Sequence, residues 1–574
     1  MFLKSNCRRF IIIASTLEER DEPLAHRSMV RYSAVLILSM LVVVAAGASS
    51  AAASDEVELF DAALHGYLGD VDRLLAAGAA DVNNEVKGGS PLVAAAGAGH
   101  SKVVTKLIAA GADVNQATTD DGSTPLFIAA ANGHSLVVKT LIVAGAVLNQ
   151  AATEIGATPL YGAAQAGRST VVTKLIAAGA DVNQATTDDG STPLYAAAEA
   201  GHSLLITKLL AAGADVHQAT TDIGATPLYA AAEAGHSKVV TKLIAAGARV
   251  NQATTDDGAT PLYVAAQAGH STVVRKLIAA GADANLVKTD GGVTPLYAAA
   301  LRGHAQVVKK LVATLTVADI NAGRADDGST ALSAACYAGH PKVVKILIAV
   351  GADVNQVRAN DGSAPLYVAA QEGHVEVVTK LIAAGAYVNF ANLRSKTTAL
   401  FIASFMGKPK VVKKLIAAGA DVNKARTLGN PDANPNAQQS NDLTPLYTAA
   451  NLGHTEIVAT LLQHGADRSI RGNALLIETP LEVAERKNHR DIIALLLEQE
   501  SFIGRLLGGN VASFHLFGYE LSFIEFLGVI LTPAAIVLTI LLFGRKGKKK
   551  LQQKKKKKKI ISRKKKKKKT KTKS

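Results

Sequence analysis

A Thr-Pro-Leu tripeptide, or a close variant, returns through most of this chain every 34 residues, and that period limits what the chain can fold into. The proline, or the residue in its place, stands at Pro91, Pro125, Pro159, Pro193, Pro227, Pro261, Pro295, Ala331, Pro365, Ala399, Pro445 and Pro480. The interval is 34 residues except for 36 before Ala331, 46 before Pro445 and 35 before Pro480. A partial leading unit from Leu59 brings the total to thirteen, over about Glu58 to Glu500. A unit this short cannot enclose a core of its own, so its neighbours must stack on it to bury a continuous one.

Each unit carries the same local signals. Thr192 is placed to cap a helix, and Pro193 follows at the first helical position, where its missing N–H costs nothing. Leu194, Ala197 and Ala198 give that helix a short apolar face, and Gly201 permits the turn into a second helix. In the next copy Val239, Val240, Leu243 and Ile244 form a buried stripe that ends at Gly247. An extended stretch then reaches Asp256-Asp257-Gly258, a turn signal. With no Trp and 4% aromatic residues, the stack must rely on small side chains and close backbones.

The string DGSTPLYAAAEAGHSLLITKLLAAGADVHQAT, from Asp189 to Thr220, resembles an ankyrin repeat almost end to end. It has the D-G-x-T-P-L-x-x-A-A-x-x-G-H opening and the L-L-x-x-G-A-D-V close, with His217 where the family usually has Asn. The resemblance implies an all-α solenoid of helix-turn-helix units joined by hairpins over residues 58–500. It departs from the family at T-P-L-H, which here reads Tyr161, Tyr195, Tyr229, Tyr263, Tyr297, Tyr367 and Tyr447, with Phe127 and Phe401. Two insertions interrupt the period, two residues near Leu315 and twelve within Lys424 to Asp442, where Asn, Pro and Gln predict a loop. The last unit, Thr479 to Glu500, is polar at Glu482, Glu485, Lys487, Asn488 and Arg490, as expected of a cap.

The ends of the chain carry different signals. Residues 29–54 have a positive start at Arg31, an apolar run from Ala34 to Ala46 and small-residue cleavage options, the parts of a secretory signal. Residues 1–28 are then a dispensable leader if translation starts at Met29, or part of an uncleaved signal anchor. After a linker over 501–522, residues 523–543 predict a transmembrane helix. Phe526 to Phe543 holds no charge, and its twelve Leu, Ile, Val and Phe favour insertion by roughly 4–7 kcal/mol in sum. The tail, 544–574, takes 20 of the 62 basic residues and no acidic one, so the preceding residues carry 42 basic against 47 acidic. Such a tail predicts a cytosolic C-terminus and repeats outside the cytosol. A cytosolic array with a tail anchor is the alternative orientation, and a soluble nuclear regulator using its tail on nucleic acid is a third reading.

The stretch TPLYAAAEAGHS occurs unchanged at Thr192 to Ser203 and Thr226 to Ser237, and holds Thr, Tyr, Glu, His and Ser. A catalytic reading fails because Glu199 becomes Gln165, Gln267, Leu301 or Tyr337 in other units. The histidines at His100, His134, His202, His236, His270, His304, His340, His374 and His454 come one per unit, too far apart to share a metal, and predict structural bonding within the turn. Cys7 and Cys336 offer no disulfide framework or zinc spacing. No cofactor, metal or catalytic role is therefore expected.

What the sequence offers is surface. The hairpin tips carry Asp120, Asp121, Asp188, Asp189, Asp222, Asp256 and Asp257, an acidic ridge, while lysines such as Lys102, Lys208 and Lys276 mark the second helices. The ankyrin resemblance implies that partners bind the tips and the concave first helices. The units from Thr158 to Thr294 differ little from one another, so a specific contact is expected on the more diverse units beyond, at Leu301, Arg302, Tyr337, Gln371, Glu372, Phe405 and Met406. The expected function is a membrane-anchored scaffold, monomeric and binding protein partners. Its tail is suited to anionic lipid and lacks the aromatics that would stack on nucleic-acid bases.

Overall fold

The computed structural model describes residues 55–78, 80–426, 443–472, 478–497, 514–516 and 519–521. The leader and signal (1–28, 29–54), most of the Lys424 to Asp442 insertion, the span at 523–543 and the tail at 544–574 lie outside the described residues. Among the described residues no helix is long and apolar enough to cross a membrane. The chain divides into two compact units, residues 1–477 and 478–574.

The first unit is a stack of helix pairs, from Asp55–His65 with Leu68–Ala77 to Pro445–Leu452 with Thr455–Gln463. Within each pair the sequence acts as its composition dictates. The Thr192 hydroxyl accepts a hydrogen bond from the Tyr195 N–H at 3.2 Å, Pro193 opens the helix Pro193–Glu199, and the second helix, Ser203–Ala211, follows after Gly201. Gly201 has φ +79°, and an added Cβ there would stand 2.6 Å from the His236 ring of the next unit. Glycine is needed both for the turn and for the approach of the neighbour.

The core is continuous along the stack. Leu194, Ala197 and Ala198 of a first helix and Val239, Val240 and Leu243 of a second helix are fully buried. Ile244 is half-buried, on the edge of its stripe. First helices pack on first helices and second helices on second helices along the array. Alanine at the first-helix contacts lets those backbones approach closely, which makes a stack with few large side chains workable.

Polar bonds then tie each unit to the next. The histidines do not bond within their own turn, as the sequence suggested, but reach back one unit. Nε2–H of His134, His202, His270 and His340 donates to the carbonyls of Gly97, Gln165, Glu233 and Leu301 at 2.9–3.0 Å. Arg168, which interrupts the histidine row, makes the equivalent bond from Nε to Ala131 at 3.0 Å. At the foot of the second helices the Asn183 carboxamide accepts from the Asp215 N–H at 2.8 Å and donates to the Gly213 carbonyl at 3.1 Å. Asn321 repeats both bonds with Asp353 and Gly351, and Gln356 donates to the Asn321 carbonyl at 2.9 Å. The recurrent Asn-Gln pair is thus a ladder between units. It is interrupted at His217, whose Nδ1 is buried without a hydrogen-bond partner.

In the second unit Thr479 and Glu482 form a reciprocal capping box on the helix Pro480–Arg486, residues 490–497 are helical, and Glu482, Glu485, Lys487, Asn488 and Arg490 are exposed. Within the stretch read as a linker, Phe514–Leu516 pairs with Tyr519–Leu521 as an antiparallel hairpin.

Two substitutions test this account. Ala364 stands at the N-cap that Thr fills in neighbouring units and makes no side-chain bond. Ala364→Thr should stabilise the array by about 1 kcal/mol in urea denaturation. His217→Asn should restore the ladder and satisfy a buried group, raising stability by roughly 1 kcal/mol; an unchanged or lower urea midpoint would count against the ladder.

Candidate protein-interaction surface

The end of each first helix presents one side chain at the same register, and successive first helices lie against each other. Leu301, Tyr337, Gln371 and Phe405 therefore form one row, with Arg302, Glu372 and Met406 in the next. Tyr337, Phe405 and Met406 are 54%, 47% and 42% exposed, large apolar groups left uncovered by the fold. Arg302 is exposed and Leu301 is half-buried, while the Gln371 amide donates to its neighbour Glu372 at 3.1 Å. The structure thus brings the seven residues singled out in the sequence onto consecutive helix ends.

The histidine row fixes these ends. His340, His374 and His454 donate to the backbone carbonyls of Leu301, Tyr337 and Phe405, the residues whose side chains form the row. A carbonyl can only accept, so each imidazole carries its proton on Nε2. Burial and the neighbouring His236 and His304 hold the His270 pKa below its ordinary value, although its bond to the Glu233 carbonyl opposes this. The histidines position a surface.

The acidic ridge separates into two kinds of aspartate. Asp120, Asp188, Asp222 and Asp256 are exposed. Asp121, Asp189 and Asp257 are half-buried and fold back into their own turns. Asp189 accepts from the Thr186 hydroxyl at 2.6 Å and the Ser191 N–H at 2.9 Å. Burial alone would raise its pKa, but the bonds from Thr186 and Ser191 hold it below the ordinary value. Asp188 beside it is raised, by burial and by the Asp189 charge. Asp257 is held low in the same way as Asp189, with Lys288 Nζ 2.8 Å from its carboxylate. The outer aspartates are the ones that face solvent.

One feature of the groove follows from the two identical copies. Their sameness sets Glu199 and Glu233 at one register in adjacent units, and burial, with the Glu199 charge, pushes Glu233 up to about 7. Burial also raises the phenols of Tyr195 and Tyr229. Cys336 is fully buried, and burial pushes its thiol up, which leaves it an inert packing group. Among the described residues no group of three or more His, Cys, Asp or Glu could hold a metal ion.

A family model for ankyrin repeats, built of three copies, matches residues 59–152, 138–220, 204–288, 262–358, 351–426 and 425–505. The chain belongs to the ankyrin-repeat family. Among solved structures it is similar to the ankyrin repeat domain of human ASB11, with 30% identity over 39% of this chain and 98% of that one, and a TM-score of 0.36. No curated protein matches it. The ankyrin fold is typically a non-enzymatic interaction module.

Glu233 supplies a pH test. Its carboxyl keeps a proton in the fold up to about pH 7, whereas the unfolded chain releases it near 4.5. Between these values the folded state binds more protons, so its stability falls as pH rises. Glu233→Gln should flatten that part of the stability curve and raise the urea midpoint above pH 7, as followed by circular dichroism.

Proposed function

We propose that the chain is a scaffold that binds a protein partner along the first-helix ends from Leu301 to Met406, with the outer tip aspartates completing the contact. The observation that carries this reading is the exposure of Tyr337 and Phe405 at matched positions, with Met406 beside Phe405, on helices whose ends are pinned by histidine. Aromatic anchors surrounded by polar groups such as Arg302 and Glu372 are the usual composition of an energetic centre in a protein interface. The near-identical units from Thr158 to Thr294 offer a partner the same surface repeatedly, which suits them to spacing rather than selection.

The scaffold reading extends to a membrane. The uncharged run from Phe526 to Phe543 and the tail of 20 basic residues support a single span with the tail in the cytosol and the array on the other side.

A photo-crosslinking residue at Tyr337 or Phe405 should capture the same partner, and one at Thr170 on the opposite flank should not. The combined Tyr337→Ala, Phe405→Ala and Met406→Ala variant should weaken that complex by roughly 30-fold or more while its thermal melt stays cooperative. Full binding by a folded triple variant would place the contact elsewhere. Carbonate extraction of the full chain into the supernatant would remove the membrane from the reading, and cleavage of the array on sealed microsomes with the tail protected would reverse its orientation.

A further inference from the structure

We propose that the outer flank, built from the second helices, is a docking surface for an anionic lipid bilayer. The ten second helices from Ser101–Ala109 to Pro409–Ala417 carry seventeen Lys or Arg and one acidic residue, Glu376. The residues before the tail are mildly acidic as a whole, so this face is segregated from the charge of the rest of the array. It lies on the side away from the first-helix row and does not depend on the protein-binding reading.

The cations fall into two sets. Lys208 and Lys276 lie inward and bridge units, donating to the Thr173 and Thr241 hydroxyls at 2.6 and 2.5 Å, and Lys242 donates to Thr207 in the same way. These serve the stack. Lys238, Arg275, Lys309, Lys342 and Lys345 are exposed and form no ion pair among the described residues.

Two further observations select the partner. Leu136 and Leu204, each 60% exposed, occupy the register that Lys238 and Lys342 fill in other units, so apolar side chains project from the same face as the cations. Arg275, Lys309 and Lys310 also rim a recess that includes Ile278 and Ala313, polar at its edge and apolar beside it. Arg275, Lys309 and Lys345 share one register on consecutive helices while Lys238 and Lys342 share another, so the cations cover a face rather than one line, and these helices hold no aromatic residue on which bases would stack. Cations spread over a face and interspersed with leucines fit a lipid surface, where basic residues are drawn to headgroups and apolar ones enter the acyl boundary. Anionic lipid is concentrated on the cytosolic leaflet, so docking of this kind belongs with the alternative orientation, in which the array faces the cytosol, and the cleavage assay on sealed microsomes decides between the two.

The test is lysine acetylation of the full chain, read by mass spectrometry, with vesicles of phosphatidylcholine alone or mixed with phosphatidylserine. A parallel chain has its tail lysines replaced by glutamine, so that tail binding is separated from flank binding. In both chains Lys238, Lys309, Lys342 and Lys345 should label roughly threefold more slowly with the mixed vesicles, and the effect should vanish in high salt. Exposed Lys396, on a hairpin, should label equally throughout. In the Leu136→Ser, Leu204→Ser variant the protection should weaken. Equal labelling of the flank lysines in both vesicle types overturns the proposal, as does uniform protection that includes Lys396. Protection by inorganic phosphate alone overturns it too, in favour of a free anion. Partner crosslinking at Tyr337 reads the protein-binding face separately, so the two proposals fail independently.

Discussion

The whole array depends on one deficit: no helix pair can cover its own apolar face. Leu194, Ala197 and Ala198 have no partner deep enough within their own unit, so burial comes from the units before and after. That dependence explains why alanine dominates the first helices, since larger side chains would hold neighbouring backbones apart. It also explains where the polar bonds go. Stacking traps helix-end carbonyls between units, and a trapped polar group without a partner is costly. The histidine, asparagine and glutamine rows supply those partners, each reaching into an adjacent unit.

Much of this was legible in the sequence, because a repeat displays its constraints many times. The caps at Thr192 and its equivalents, the prolines after them and the glycine turns could be read directly, since each depends on chemistry within a few residues. The rest depends on what lies a unit away. His202 looked like a turn residue because its partner, the Gln165 carbonyl, is 37 positions back. The partners of Asn183 and Gln184 likewise lie in neighbouring units. Asp189 and Asp188 are adjacent and chemically identical, yet the first is half-buried in its turn and the second is exposed. Arg168 was an interruption in a row of letters but none in the row of bonds.

The interaction surface was legible to a different degree. Its positions followed from the ankyrin resemblance and from the register, and Tyr337, Phe405 and Met406 are exposed there. The pairing of Glu199 with Glu233 had a visible signal, an acidic residue at one register of two identical copies, but its effect on Glu233 required knowing how far the groove is buried. The two faces of the array differ in make-up. First helices end in varied side chains held in place by histidine, while second helices carry near-uniform basic charge of which the stack uses only a part.

The interrupted ladder at His217 has a mechanical meaning. A stack pulled from its ends bears load in series, so every junction feels the same force and the weakest one parts first. Where Asn183 clamps the unit after it, both lobes of its amide must break before the helices separate. The junction after His217 lacks that clamp and keeps the bond from Lys242 to the Thr207 hydroxyl and that from the Thr255 N–H to the Ile223 carbonyl beside its apolar contact. Under load along the stack, that junction has one clamp fewer to break than the one Asn183 holds.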